Sequence, residues 1–371
     1  MGFGSVANRV DVGPPRKDDP VETLAHDSRI DLDRQVNGNA PGLHDAAGVV
    51  GEIQVDITVV EHLGKARHLR GALAPARQSD QGGFRGHRIV RFQTLSLSKI
   101  VWIVVDSPIR DVDDTIAWRE AGEGDVVLFL HGLGGSRTAW EPQLEALSDQ
   151  WRCVAWDMPG YGASSPVSPL TFEAIADAVV GLLDRLGAEA AHLCGLSFGG
   201  HHALHTALRY PTRVRSLVLA DTSAVFGGDG TDPEQWRQER TEMIDAGLLL
   251  ADIAAPVIDS ITAPGFEGVE RDRTIAAFTR VPEAGFRAAC QLLTTHDVRH
   301  RLGEITVPTL VIVGELDEET PPAYSEKLHA AIGDSRLEII PAAGHVSPAE
   351  APGAFNDLVR QFLGSLPATQ P

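Results

Sequence analysis

The stretch Gly195-Leu196-Ser197-Phe198-Gly199-Gly200 narrows what this chain can fold into more than any other. The apolar run from Ala190 to Cys194 precedes it and a helical pattern follows. A serine on so sharp a strand-to-helix turn projects its hydroxyl above the edge of a sheet, and flanking glycines let the backbone close around it. The helix starting there aims backbone N–H groups and its positive dipole end at developing negative charge. G-x-S-x-G alone is a weak signal, because Gly and Ser are common in turns. The strand before it and the helix after it give it weight as a nucleophile.

A serine hydroxyl near neutral pH needs a base, and the base needs an orienting acid. On such a sheet the partners follow in chain order, acid then histidine, each just past a strand. Asp317 follows the apolar run Thr309 to Val313, and His345 follows Leu337 to Ile340 through Pro341-Ala342-Ala343-Gly344. Asp317 is the preferred acid, although Glu315, Glu318 and Glu319 are close neighbours. Asp221, after the run Leu217 to Ala220, is the alternative acid of a variant arrangement. The run Val126 to Leu130 ends in His131-Gly132-Leu133-Gly134-Gly135. The backbone N–H groups of Leu133 and Phe198 can converge there on one oxygen as an oxyanion hole. His131 reads as a turn residue, and this glycine-rich turn lacks the G-x-G-x-x-G spacing of a dinucleotide site.

Strands that are nearly all apolar, alternating with helices, predict an α/β fold with a mostly parallel sheet covered on both faces. A helix is expected with Ile175, Val179, Leu182, Leu183 and Leu186 on one face and Gly187 as its stop, and another from Pro322 to Ile332. The predicted organisation is an α/β core over 100–225 and 303–371, interrupted by a helical cap at 226–302. Residues 1–99 show one short alternation, Ile53, Val55, Ile57 and Val59, among loops rich in Gly, Pro, Asp and Arg. They are expected to be an unstructured extension, or upstream sequence included by a wrongly chosen start.

Charge divides the chain at the same place. The 371 residues carry 32 Lys+Arg and 51 Asp+Glu, a net −19. Residues 1–98 hold 12 of each, so 99–371 hold 20 basic and 39 acidic side chains. An acidic balance argues against nucleic acid and against a polybasic membrane contact. The longest apolar run, Ile100 to Val105, is far short of a membrane span. With no apolar leader at the N-terminus, a cytoplasmic protein is expected. Cys153, Cys194 and Cys290 are too few and too scattered for a disulfide framework or a zinc ribbon, and Cys194 reads as a small core residue. His201 and His205 have a spacing that could hold zinc, but no H-E-x-x-H and no third ligand accompany them. No metal and no cofactor are expected.

With these residues assembled, the chain from Asp106 to Leu366 resembles the α/β-hydrolase superfamily. The resemblance is carried by HGLGGS at 131–136, Trp140, DMPGYGASS at 157–165, GLSFGG at 195–200, Leu217 to Ser223, GELDEETPP at 314–322 and AGHVSPAEAP at 343–352. It implies an α/β-hydrolase fold, a triad of Ser197, Asp317 and His345, and oxyanion N–H groups from Leu133 and Phe198. Because Ser holds the nucleophile position, the chain is unlike the branches that use Asp there. Within the superfamily, TAWEPQLEALSDQWRCVAWDMPGYG and GFRAACQLLTTHDVRHRLGEITVPTLVIVGELDEETPP are similar to 3-oxoadipate enol-lactonases, as is a cap with Trp236 on an early helix. That likeness implies a lactone of aromatic-compound catabolism as substrate; the same phrases recur in esterases and perhydrolases. Carboxylesterase, C–C bond hydrolase and cofactor-free perhydrolase are the enzyme alternatives, and a hydrolase-like receptor that barely turns over its ligand is the alternative outside catalysis. An enol-lactone of this type carries a carboxylate, which sets a substrate anion against an acidic protein. Arg137, near the oxyanion turn, and Arg237 and Arg240 in the cap are the candidate cations to hold it.

Overall fold

The computed structural model describes residues 54–61, 65–72, 88–92, 101–105, 110–112 and 115–367. The expected unstructured extension falls largely outside them. Within it, β1 (Gln54–Glu61) pairs antiparallel with β2 (Lys65–Ala72), and β3 (Arg88–Phe92) pairs antiparallel with β4 (Val101–Val105), which lies just past it. Val55, Ile57 and Val59 of the alternating stretch lie in β1, while Ile53 is outside the described residues.

The site rests on one eight-stranded sheet. Its strands are β5 (Arg110–Val112), β6 (Ile116–Ala121), β7 (Val126–Leu130), β8 (Arg152–Trp156), β9 (Ala191–Leu196), β10 (Val214–Ala220), β11 (Thr309–Gly314) and β12 (Ser335–Ile340). Their spatial order is β12-β11-β10-β9-β7-β8-β6-β5. From β8 to β12 every pairing is parallel, whereas β6 runs antiparallel to β8 and β5 antiparallel to β6.

Val-Val-Leu-Phe-Leu of β7 is buried throughout, because successive side chains feed opposite faces and both faces are covered. Leu128 and Leu130 join one core with α2 (Phe172–Leu186) and α3 (Phe198–Arg209). Val127 and Phe129 join the other with α1 (Glu141–Leu147) and α10 (Pro352–Gly364). α2 is capped by the Thr171 hydroxyl, which accepts from Ala174 N at 3.1 Å, and ends where Gly187 takes φ +70°. β12 departs from the expectation of all-apolar strands: as the sheet edge it alternates, and Ile339 is half exposed.

Between β10 and β11 lie α4 (Pro233–Asp245), α5 (Leu250–Ile261), α6 (Val269–Phe278) and α7 (Glu283–Leu293). The two segments leading into and out of this helical insertion are tied together. Val225 bridges Asp297, Phe226 N–H donates to His296 O at 2.9 Å, and Val298 N–H donates to Ala224 O at 2.9 Å. α8 (Pro322–Ala331) and the single turn α9 (Ser347–Glu350) flank β12 in the chain. No helix among the described residues is long and apolar enough to cross a membrane.

Candidate active site

Ser197 sits between β9 and α3 with φ +53° and ψ −117°, a conformation a non-glycine residue takes only when its surroundings impose it. Those surroundings are visible. Ser197 N–H donates to Ala220 O at 2.8 Å, and the Thr222 hydroxyl donates to Ser197 O at 2.8 Å. Gly195 and Gly199 allow the closeness: a Cβ on the first would overlap the Gly199 carbonyl, and one on the second the Leu130 carbonyl. α3 is thereby seated directly on the ends of β7 and β9.

His345 reaches this serine from the loop after β12. Its Nε2 lies 2.9 Å from Ser197 Oγ, and its Nδ1 lies 3.0 Å from both carboxylate oxygens of Asp317. A carboxylate beside Nδ1 fixes the proton there and leaves Nε2 to accept from the serine hydroxyl. Asp317 is buried, and it is oriented by Glu319 N–H at 2.9 Å, Thr320 N–H at 2.8 Å and the Thr320 hydroxyl at 2.8 Å. Thr320 is a contributor that reading strand ends does not find.

Three ionisable groups meet here. Burial disfavours the imidazolium of His345, yet the charge and hydrogen bond of Asp317, then the charges of Asp221 and Glu319, outweigh it and push His345 up to about 9. Burial likewise works against the Asp317 carboxylate, but His345 and the Thr320 donors outweigh it and hold it below its ordinary value. Burial first, and then the charge of Asp317, pushes Asp221 up to about 8.

The structure gives Asp221 a partner set other than the histidine. Its carboxylate accepts from Gly314 N–H and from Ser347 N–H, each at 2.9 Å, linking the end of β11 to the segment after His345. Glu315 accepts from Ala342 N–H at 3.0 Å. Glu350, which the sequence reading passed over, accepts from Gly344 and Val346 N–H on either side of His345 at 2.8 and 2.9 Å, and from Ala263 N–H beyond α5 at 2.7 Å. His345 N–H itself donates to Ile261 O at 2.9 Å. The end of α5 and the histidine loop are thus stitched together.

The turn after β7 runs alongside the serine, since a Cβ on Gly132 would sit 3.4 Å from Ser197 Cβ. His131 is buried and spans two loops: Nδ1 lies 2.9 Å from Gly132 O, and Nε2 accepts from Met158 N–H at 3.1 Å. Tyr161 donates its hydroxyl to Leu133 O at 3.0 Å, which fixes the peptide carrying that residue. Phe198, at the first turn of α3, is among the residues whose N–H has no intrahelical acceptor. Leu133 and Phe198 therefore flank Ser197 from two sides.

A cavity of about 560 Å³ opens above these groups, walled by the turn, the cap helices and the 318–324 loop. Trp236 lines it, edge-on to Phe226 at 5.2 Å. Arg137 does not: it is buried beneath, with its N–H on Asp157 Oδ1 at 2.8 Å and its Nε 3.5 Å from Asp157 Oδ2. Arg237 binds Thr294 and Glu234 and is absent from the described walls, whereas Arg240 lines the cavity. His201 stacks on His296 at 3.7 Å, and His205 stacks on Phe172 at 3.9 Å while contacting His296 at 3.1 Å. Burial pushes His205 down to about 4 and His296 to about 3, so this is a packed, neutral cluster. Among the described residues no group of His, Cys, Asp and Glu is arranged to hold a metal. The three cysteines are buried free thiols.

Sheet order, the strained serine turn between β9 and α3 and the helical insertion together define a hydrolase scaffold, and residues 127–358 match the model of the alpha/beta hydrolase family, to which this chain belongs. It is 31% identical over 244 residues to 3-oxoadipate enol-lactonase 1 of Acinetobacter baylyi, covering 65% of this chain and 89% of that relative. It is also 31% identical over 249 residues to a pimeloyl-[acyl-carrier protein] methyl ester esterase of Neisseria meningitidis, covering 64% and 76%. Among solved structures it is similar to the enol-lactonase from Burkholderia xenovorans LB400, with a TM-score of 0.62 at 28% identity over 70% of this chain and all of that one.

Proposed function

We propose that this protein hydrolyses a small carboxylic ester or lactone through an acyl-enzyme on Ser197. The observation that carries this reading is the 2.9 Å contact between Ser197 Oγ and His345 Nε2 at the floor of a substrate-sized cavity. Ser197 Oγ gives its proton to Nε2 and bonds the carbonyl carbon, and the carbonyl oxygen becomes an oxyanion facing the Leu133 and Phe198 N–H groups. Each such donor is worth about 3–4 kcal/mol in the transition state. As the C–O bond breaks, His345 returns the proton to the leaving oxygen. An ester then releases its alcohol, whereas a lactone keeps its new hydroxyl on the acyl chain. Water, giving a proton to Nε2, attacks the acyl carbon; as the bond to Ser197 Oγ breaks, His345 returns that proton to Oγ and the carboxylic acid leaves. Asp317 stays ionised throughout and holds the imidazole. The chemistry calls for no cofactor.

An enol-lactone is the candidate to which the lactonase relatives point, and the cavity beside Trp236 suits a small ring. A simple carboxylic ester is the second reading, supported by the acidic residues at the cavity mouth and by the methyl ester esterase relative. The two differ in charge, because the lactone of a dicarboxylic acid keeps one carboxylate. Three free thiols suit a reducing compartment, so we place the reaction in the cytoplasm. In the test, a fluorophosphonate is expected to label Ser197, and Ser197→Ala to lower turnover of aryl esters and lactones by on the order of 10⁴-fold or more. Near-wild-type turnover by that variant would sink the mechanism.

A further inference from the structure

We infer that the substrate of this cavity is uncharged in both its acyl and its alcohol portions, an inference that rests on ester or lactone hydrolysis at Ser197. Part of the cavity wall is apolar, formed by Phe226, Trp236, Ile253, Val257, Phe278 and Phe286. A carboxylate moved from water into such a space needs a cation with free donors.

Among the described residues Arg240 is the one cation lining the cavity besides His345, and both are engaged. Arg240 Nη2 donates to Glu319 Oε1 and Oε2 at 3.2 and 3.0 Å, and its guanidinium lies 5.0 Å from the Trp236 ring centroid. His345 is engaged by Asp317. A substrate carboxylate would have to share the Arg240 guanidinium with Glu319, which sets two anions on one cation.

Asp229, Glu239 and Glu318 also line the cavity, so four carboxylates face one arginine. These carboxylates are solvent-exposed, and charges of one sign around a cleft lower the local concentration of anions most at low ionic strength. The other polar walls, Ser223, Thr274, Thr320 and the neutral His201, can bind a carbonyl or ether oxygen without charge. The enol-lactone of a dicarboxylic acid is thereby disfavoured, and neutral esters and unsubstituted lactones of similar size are favoured.

The test uses the full chain and two matched pairs: ethyl pentanoate against monoethyl succinate, and γ-butyrolactone against its ring-carboxylated analogue. At low ionic strength, kcat/KM for the neutral member of at least one pair is expected to exceed that of its anionic partner by about tenfold or more. Added salt should narrow the gap by speeding the anion. Glu319→Gln should narrow it several-fold, about the effect of freeing one guanidinium. Equal or faster turnover of the anionic members by the wild-type protein overturns the inference while leaving hydrolysis at Ser197 intact. If no member of either pair is hydrolysed and the fluorophosphonate leaves Ser197 unlabelled, the hydrolase reading falls and this inference with it.

Discussion

In the proposed reaction His345 must shed a proton before it can accept one from Ser197, and the carboxylates around it resist that loss. Because the folded value lies above the ordinary 6.5, the neutral imidazole accumulates as pH rises from about 6.5 towards 9. The acid limb of kcat/KM against pH is therefore expected above 6.5. Asp317→Asn removes the largest upward influence, so its limb should shift to lower pH while kcat falls on the order of 10⁴-fold, as the imidazole loses its orientation. Asp221→Asn should also lower the midpoint while keeping most of kcat. It should destabilise the fold by about 1–3 kcal/mol, because an amide cannot accept from both Gly314 and Ser347 N–H. A pH–rate profile and a denaturant titration of the two variants check this. Ser197, Asp317 and His345 were legible because each follows an apolar run at one edge of a parallel sheet, where position follows from strand direction. Arg137 was not legible in its role. Nearness in sequence put it by the oxyanion turn, but the bond to Asp157 that draws it beneath spans twenty positions, a separation no local pattern encodes.

At the scale of elements, the junction that matters joins the end of α5 to the loop carrying His345. One carboxylate, Glu350, satisfies three backbone N–H groups from two segments far apart in the chain. Glu350→Ala leaves those donors without their acceptor, at about 1–3 kcal/mol. Slight misplacement of His345 should lower kcat by about ten- to a hundredfold with little change in KM. Glu350→Gln, with one acceptor oxygen, should recover part of both losses; steady-state kinetics and unfolding curves read the difference. Helices were the easier elements to read, since the apolar face of α2 and its Gly187 stop are local signals. The antiparallel pair β5 and β6 carries no such signal, since strands of three and six residues are too short to show a period of their own. The alternation of β12 was missed for a different reason. Its place at the edge of the sheet, and hence its exposed Ile339, is a property of strand order.

For the whole molecule, the cavity walls among the described residues come from 131–349, and the sheet beneath them from 110–340. A shortened chain beginning at Lys99 should keep kcat/KM on its best substrate within about twofold of the full chain, since all the described lining residues lie beyond that point. Purified full-length and shortened proteins assayed side by side decide it. The insertion is fastened at its base by the Val225–Asp297 bridge, at α5 through Ile261 and Ala263, and at α6, where Phe278 fills the space that a side chain on Gly134 would need. Three such ties oppose a swing of the insertion as a whole. In the proposed reaction the tolerance for substrates is then set by how far they fill the cavity. Acyl chains lengthening by one carbon at a time would meet a sharp stop, where a hinged cover would give a gradual decline.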